Sequence, residues 1–210
     1  MKKGNLTVRK MVILAMLSAI LLVMQVTGIG MIPLPGFKLT IMHIPVILGA
    51  ILLGPGEGAF LGVVFGLCSV WANTTTPNAT SMFFSPFMTA SGWAGALKAL
   101  WVSVGTRTLM GLTAGLIWKL LKKLNLNDFA ALPITAVLGT LMNTVLVLGS
   151  ICLLFPQDYA YMNATTVKGL FKLVAVTVAT NGIAEMLLAA ILVTAIGKAL
   201  LKYLEKKQGR

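Results

Sequence analysis

Most of the positive charges of this chain gather in three clusters, and the apolar sequence between them divides into even numbers of spans. The clusters are Lys2, Lys3, Arg9 and Lys10; then Lys119, Lys122 and Lys123; then Lys198, Lys202, Lys206, Lys207 and Arg210. Four apolar stretches separate the first cluster from the second, and two more separate the second from the third. Lys and Arg stay on the cytoplasmic side of membrane helices, so successive clusters require an even number of crossings. The expectation is an all-α membrane protein with six transmembrane helices, both termini cytoplasmic, a single domain over residues 1–210, placed in the cell membrane as a multi-pass integral protein.

Composition points the same way. With 58% hydrophobic residues, 10% charged residues and a mean hydropathy of +0.93, too little polar surface exists to solvate a water-soluble globule of this size. The net charge of +12 sits at span ends, where it sets orientation and meets anionic headgroups of the lipid bilayer; nucleic acid is not expected as a partner. Cys68 and Cys152 both fall inside apolar spans, which argues against a disulfide framework and against a metal site. The first apolar run has no small-residue cleavage motif followed by a polar mature domain, so it reads as a span rather than a removable signal.

The expected spans are Val8–Thr27, Thr40–Leu53, Gly58–Trp71, Gly105–Leu121, Pro133–Phe155 and Leu170–Gly197. The second is short: about 14 residues rise only ~21 Å, less than the ~30 Å hydrocarbon core. The Gly/Pro-rich, apolar loop Gly28–Lys38 before it is placed to dip toward the membrane and cover a cavity. Gly54-Pro55-Gly56-Glu57 is expected to form a tight turn. Ala72–Thr106 reads as a long outer segment that starts polar and continues aromatic, either a lid or an interfacial aromatic belt. No internal repeat of the secondary-transporter kind is evident.

No hydrolytic, metal-binding or phosphate-binding motif is present, and a single histidine occurs. The chain is therefore not expected to be an enzyme or to hold a cofactor, and any ATP hydrolysis must be done by another chain. The informative residues are polar ones within spans, because an ionisable group there costs roughly 2.5–3.5 kcal/mol on the insertion scale. Glu185 lies well inside the sixth span, with Asn181 four residues earlier on the same face. Asn143 lies about 15 Å along the fifth span, so the three can meet in the bundle interior, as a binding site or as interhelical glue. Arg107, at the start of the fourth span, either snorkels to headgroups or turns inward to hold an anion with its forked donors. Lys38 and His43 flank the entry to the second span. Ala15 and Ala19 form a small-x-x-x-small stripe that admits close approach of another helix, inside the bundle or in a partner subunit.

Six spans in about 200 residues, Ala15-x-x-x-Ala19, the run from His43-Ile44-Pro45 to Leu53-Gly54-Pro55, Gly58-Ala59-Phe60-Leu61-Gly62 to Phe65-Gly66-Leu67, Phe84-Ser85-Pro86-Phe87, Asn143 to Gly149 and Asn181-Gly182-Ile183-Ala184-Glu185 together resemble the substrate-binding S component of an energy-coupling factor (ECF) vitamin transporter. The His-Ile-Pro entry and the Thr-Pro-Asn and Phe-Ser-Pro-Phe segments look most like pantothenate-type members. The resemblance implies high-affinity vitamin capture from outside, docking through Ala15 and Ala19 on a membrane scaffold subunit that carries two ATPase subunits, and toppling in the membrane to release cargo. One departure is Thr106-Arg107 where the family has Pro-Arg, which keeps the arginine but changes the local helix.

Pantothenate carries a carboxylate, hydroxyls and an amide, and so needs a cation and several amide or hydroxyl groups in an apolar cavity. Arg107, Asn143, Asn181 and Glu185 supply them, with His43 beside them. Riboflavin would call for aromatic stacking, which Trp93 and Phe84 keep open, and folate for more than one cation. A different class of function also fits, a self-sufficient ion-coupled carrier in which Glu185 is the proton-linked carboxylate.

Overall fold

The computed structural model describes the backbone of residues 3–34, 37–89 and 92–207, and side chains over 8–30, 40–89 and 92–203; Lys2 and Arg210, and the side chain of Lys38, lie outside the described residues. Helix α1 (Lys3–Thr27) leads into a two-stranded antiparallel hairpin, β1 (Met31–Leu34) and β2 (Phe37–Thr40), followed by α2 (His43–Leu53) and α3 (Pro55–Thr75). Next come a short 3-10 turn at Ser81–Phe83, then α4 (Gly92–Leu100), a π-turn (Trp101–Gly105) and α5 (Thr106–Lys123) as one continuous helix. Helix α6 (Asp128–Leu154), the short α7 (Pro156–Met162) and a 3-10 turn at Val167–Gly169 lead to α8 (Leu170–Thr177), a second π-turn (Val178–Gly182) and α9 (Ile183–Lys207). Among the described residues, five helical stretches are long and apolar enough to cross a membrane, and α2 is a shorter apolar helix.

Several expectations are corrected. The fold is nearly all helical, as expected, but the loop after α1 carries the hairpin, with Met31 opposite Thr40 and Leu34 opposite Phe37. Thr40 belongs to β2, so α2 begins at His43 and has 11 residues, a rise of only ~16 Å. Its residues are buried on all sides except Leu52, as befits a helix apolar all round at the centre of a bundle. The turn between α2 and α3 is shorter than expected: Gly54 alone, at φ 123°, makes the joint, and Pro55 already occupies the first turn of α3, where its missing N–H costs nothing. Most of the expected outer segment is helical, since α3 runs on to Thr75 and the next helix starts at Gly92.

The described members of the three basic clusters lie at one end of the bundle. Lys10 of α1 reaches Glu57 at 3.6 Å in the first turn of α3, Gly115 near the end of α5 packs on Pro55, and Lys198 of α9 lies over the Phe129 ring at the start of α6. The hairpin marks the opposite end. Between them, α2 is enclosed by α1, α3, α5, α6 and α9, and its Val46, Ile47 and Leu48 anchor the main core with Leu61, Met110, Leu132 and Val193. A satellite core around Phe83, Val147, Phe155, Tyr159 and Leu170 ties α7 and α8 to the hairpin end.

Helices α3 and α5 approach unusually closely, along glycines spaced by four. A Cβ on Gly58 would lie 2.5 Å from the Gly111 carbonyl oxygen, and one on Gly66 would lie 2.6 Å from Val104 Cα. Between them, Gly62 lies directly against the Arg107 carbonyl. Small residues at this spacing let backbones touch, which is how membrane helices associate where lipid is as apolar as the side chains. Helix α1 is the opposite case: only 11% of its apolar window is buried, against 44% for the helix Gly92–Lys123.

Candidate functional site

The layering of α2, α5 and α6 follows from one contact. A Cβ on Gly139 of α6 would lie 3.1 Å from Ile47 of α2 and 3.5 Å from Ala114 of α5. One turn farther toward the hairpin, a rise of ~6 Å, these helices carry His43, Asn143 and Met110, with Arg107 next along α5. The layer changes character there. His43 is 1% exposed and neither ring nitrogen has a hydrogen-bond partner, and Asn143 Oδ1, Thr140 Oγ1 and Arg107 Nε are likewise buried and unpartnered. Buried polar groups are paired in the great majority of cases, and in a bilayer each unpaired group costs more than in a protein bathed by water. These unpartnered atoms, on three neighbouring helices, are groups that a polar ligand could satisfy.

Arg107 points inward. It is 7% exposed and lies halfway along the helix Gly92–Lys123 rather than at a span start. Its guanidinium sits between the rings of Phe65, 5.4 Å from the centroid, and Phe84, 5.2 Å, so cation–π attraction holds its plane. Its Nη1 donates to the Val102 carbonyl at 2.5 Å, and the Thr106 hydroxyl donates to the same carbonyl at 2.6 Å. That arrangement depends on the π-turn Trp101–Gly105, whose wider winding changes which carbonyls are free; π-turns recur at functional sites for this reason. Thr106 in place of proline is part of it. Among the described residues Arg107 has no carboxylate partner, because the two ion pairs there are Lys10–Glu57 and Lys122–Asp128.

Glu185 lies just after the second π-turn, 8% exposed, and its Oε1 accepts the backbone N–H of Thr40 at 2.8 Å. Asn181, inside that π-turn, is half-buried and its Oδ1 accepts from the Thr180 hydroxyl at 3.2 Å. The π-turn packs on α6, and a Cβ on Gly182 would lie 4.0 Å from Thr144 Cγ2, so Asn181 and Asn143 belong to adjoining levels of neighbouring helices. The structure thus gathers Arg107, Asn143, His43 and Phe84 toward the interior, with Glu185 and Asn181 on the facing helix. Trp93 stands apart: it is 88% exposed and lines an outer groove with Phe87 and Leu97.

Ala15 and Ala19 both lie on the exposed side of α1, beside Met11, Val12 and Met16. Sequence reasoning passed over three contributors. Thr140 is one; its position three residues before Asn143 was its only signal. The glycine rail that sets the depth of Arg107 is another, legible as Gly58, Gly62 and Gly66 at intervals of four. Thr40, separated by 145 positions from its partner Glu185, gave no sequence signal.

Comparison with known proteins agrees with this architecture. Residues 9–197 match the family model described as ECF transporter, substrate-specific component. The chain is 38% identical over 194 residues to the pantothenic acid transporter PanT of Lactococcus lactis subsp. cremoris, covering 90% of this chain and 92% of that protein. It is 29% identical over 200 residues to the pantothenate transporter PanT of Leuconostoc mesenteroides subsp. mesenteroides, covering 90% of each. The chain is accordingly a multi-pass membrane transport component and not an enzyme, and it belongs to the ECF transporter substrate-specific component family.

Proposed function

We propose that this protein captures pantothenate at the hairpin end of its bundle and hands it to a membrane scaffold subunit powered by two ATPase subunits. The observation that carries the reading is Arg107: a buried guanidinium, stacked between two rings, without an ionic partner among the described residues, facing a level of unpartnered polar atoms. A carboxylate ligand would complete that arrangement, since guanidinium and carboxylate match as bidentate partners. Asn143, Asn181, His43 and the oxygen of Glu185 not bonded to Thr40 would take the hydroxyls and the amide, Phe84 would cover the apolar carbons, and Trp93 would stand at the approach. The names of the two relatives support the choice of vitamin. The basic end would face the cytoplasm, with six crossings and the scaffold docked along Ala15 and Ala19.

Calorimetric titration of the purified chain in detergent, with pantothenate, riboflavin, folate, thiamine and biotin in parallel, tests the capture step. Tight binding of pantothenate alone is the expected result. A folded protein that binds another of the five instead overturns the choice of vitamin. For the docking step, Ala15→Trp is expected to abolish ATP-driven uptake in the assembled transporter while leaving detergent affinity within about threefold, because the residue is exposed on α1; unimpaired uptake would remove α1 from the interface.

A further inference from the structure

The hairpin is a two-stranded ribbon, a form that is marginal unless something holds it. Its base is tied at Gly30, whose N–H donates to the Met24 carbonyl at 3.1 Å, and whose carbonyl accepts the Ile41 N–H at 3.0 Å. Gly30 fits there because a Cβ would meet Met42 Cγ at 2.5 Å. In an antiparallel ladder, hydrogen-bonded and non-hydrogen-bonded pairs alternate. Ile41 bonds Gly30, so the neighbouring pair Met31/Thr40 turns the Thr40 N–H away from β1. That N–H is an edge donor on a half-buried residue and needs an acceptor from outside the ribbon. Glu185 supplies its acceptor at 2.8 Å. Strand β2 packs on α9 and on the second π-turn, so this bond joins the hairpin to the helix that faces Arg107 and Asn143 across the candidate site.

We infer that Glu185 is a positioning residue that latches the hairpin: by accepting the Thr40 N–H it holds β2 against α9 and controls how fast a ligand enters and leaves the site beneath. Three further observations fit. Thr40 is three residues before His43, so the latched strand runs straight into the polar level at the start of α2. Glu185 forms no ion pair among the described residues, so its bond is to the strand and not to a neighbouring cation. The second π-turn ends at Gly182, three residues before Glu185, and gives the helix a local irregularity of the kind found at functional sites. The latch itself is defined without any ligand; the gating role rests on the reading of the site given above.

The test uses both ends of the bond. Amide exchange of Thr40 is measured by NMR on the ligand-free protein in micelles, with Ile41 and Ile44, whose amides donate to Gly30 and Ile41, as internal controls. Glu185→Leu removes the acceptor and is expected to speed Thr40 exchange about tenfold or more while Ile41 and Ile44 stay protected; Glu185→Gln keeps a neutral acceptor and is expected to retain most of the protection. Unchanged Thr40 exchange in Glu185→Leu overturns the latch, and so does equal loss in both variants. Thr40→Pro removes the donor from the other side, at a position whose N–H is not part of the ladder and where proline is tolerated. In stopped-flow binding of pantothenate, Thr40→Pro, which leaves every proposed ligand-contacting side chain in place, is expected to raise both association and dissociation rates several-fold in the otherwise wild-type protein and to change neither rate further in the Glu185→Leu background, where the bond is already absent. Additive effects, or unchanged rates despite lost Thr40 protection, overturn the gating role. If the wild-type chain does not bind pantothenate at all, the functional reading fails while the exchange experiment still decides the latch.

Discussion

At the basic end, Ile47, Gly139 and Ala114 close on one another, and Gly197 of α9 meets Leu132 and Leu48; nearer the hairpin, α2 and α6 present His43 and Asn143 one turn on, and α5 presents Arg107 two turns on, with polar atoms that have no partner. The same helices are thus packed by two rules. In the dry half, small residues and aliphatic side chains fill space, and dispersion contacts hold the helices together where lipid offers no hydrophobic gain. In the polar half, buried donors and acceptors are left unmade, each at a cost of about 1–3 kcal/mol. Stability therefore comes from the filled half, and on the proposed function recognition comes from the other, so the two should respond differently to mutation.

The largest effect is expected at Arg107. Arg107→Leu keeps the apolar bulk between Phe65 and Phe84 but removes the cation, and pantothenate affinity should fall by about 100-fold or more, the range found when one member of a buried charge pair is lost. Thermal stability in detergent should hold or rise, because an uncompensated buried charge disappears with it. Arg107→Lys should restore little, since an ammonium offers neither the planar fork nor the same stacking. Calorimetry and a melting curve on the same samples give both readings. Affinity within a few-fold of wild type in Arg107→Leu would mean that the polar half does not recognise the carboxylate through this residue.

Next comes the glycine rail, which joins the two halves. Gly62→Val places a branched side chain against the Arg107 carbonyl and forces α3 from α5, with an overpacking cost of about 1–3 kcal/mol and a weakened site as Arg107 is displaced. Gly149→Ala on α6 is the matched control: nothing lies within 4 Å of its added Cβ, and alanine is the better helix former by roughly 0.5–1 kcal/mol. Melting temperature should fall in the first variant and hold or rise in the second. Equal behaviour would show that close backbone approach is not what positions α3 on α5.

How much of this was visible in the chain itself follows from the range of each interaction. The apolar windows located the apolar helices, because hydropathy over twenty residues is a local property, and Arg107, Asn143 and Glu185 stood out because ionisable and amide groups are expensive inside lipid. The start of the helix at Gly92 was hidden: Trp93 and Trp101 read as an aromatic loop, although Ala94, Ala96, Leu97, Ala99 and Leu100 between them are good helix formers. The hairpin was hidden by its short strands, with Pro33 inside one and Pro35-Gly36 between them. The two π-turns have no one-dimensional signature at all, since a π-turn is settled by what packs around it. They end two residues before Arg107 and three before Glu185, and the second, which contains Asn181, explains why Asn181 and Glu185, four apart, are not equally buried as a regular helix face would require. The bond from Thr40 to Glu185 depends on ladder alternation in one element and on helix placement in another, and no local pattern reports both.

The smallest effect is expected in the dry half, at Ile47. Its side chain fills the space that Gly139 leaves, so Ile47→Val deletes one methyl group from a fully buried position and should cost about 0.5–1.5 kcal/mol through lost contacts and a small cavity. Melting temperature should drop measurably. Pantothenate affinity should stay within about twofold, because the deleted methyl lies a helical turn below His43 and Asn143 and the rigid backbones of α2 and α6 separate the layers. A tenfold loss of affinity from this one methyl would mean that packing in the basic half sets the spacing of the polar half, and that recognition and stability in this bundle are a single property rather than two.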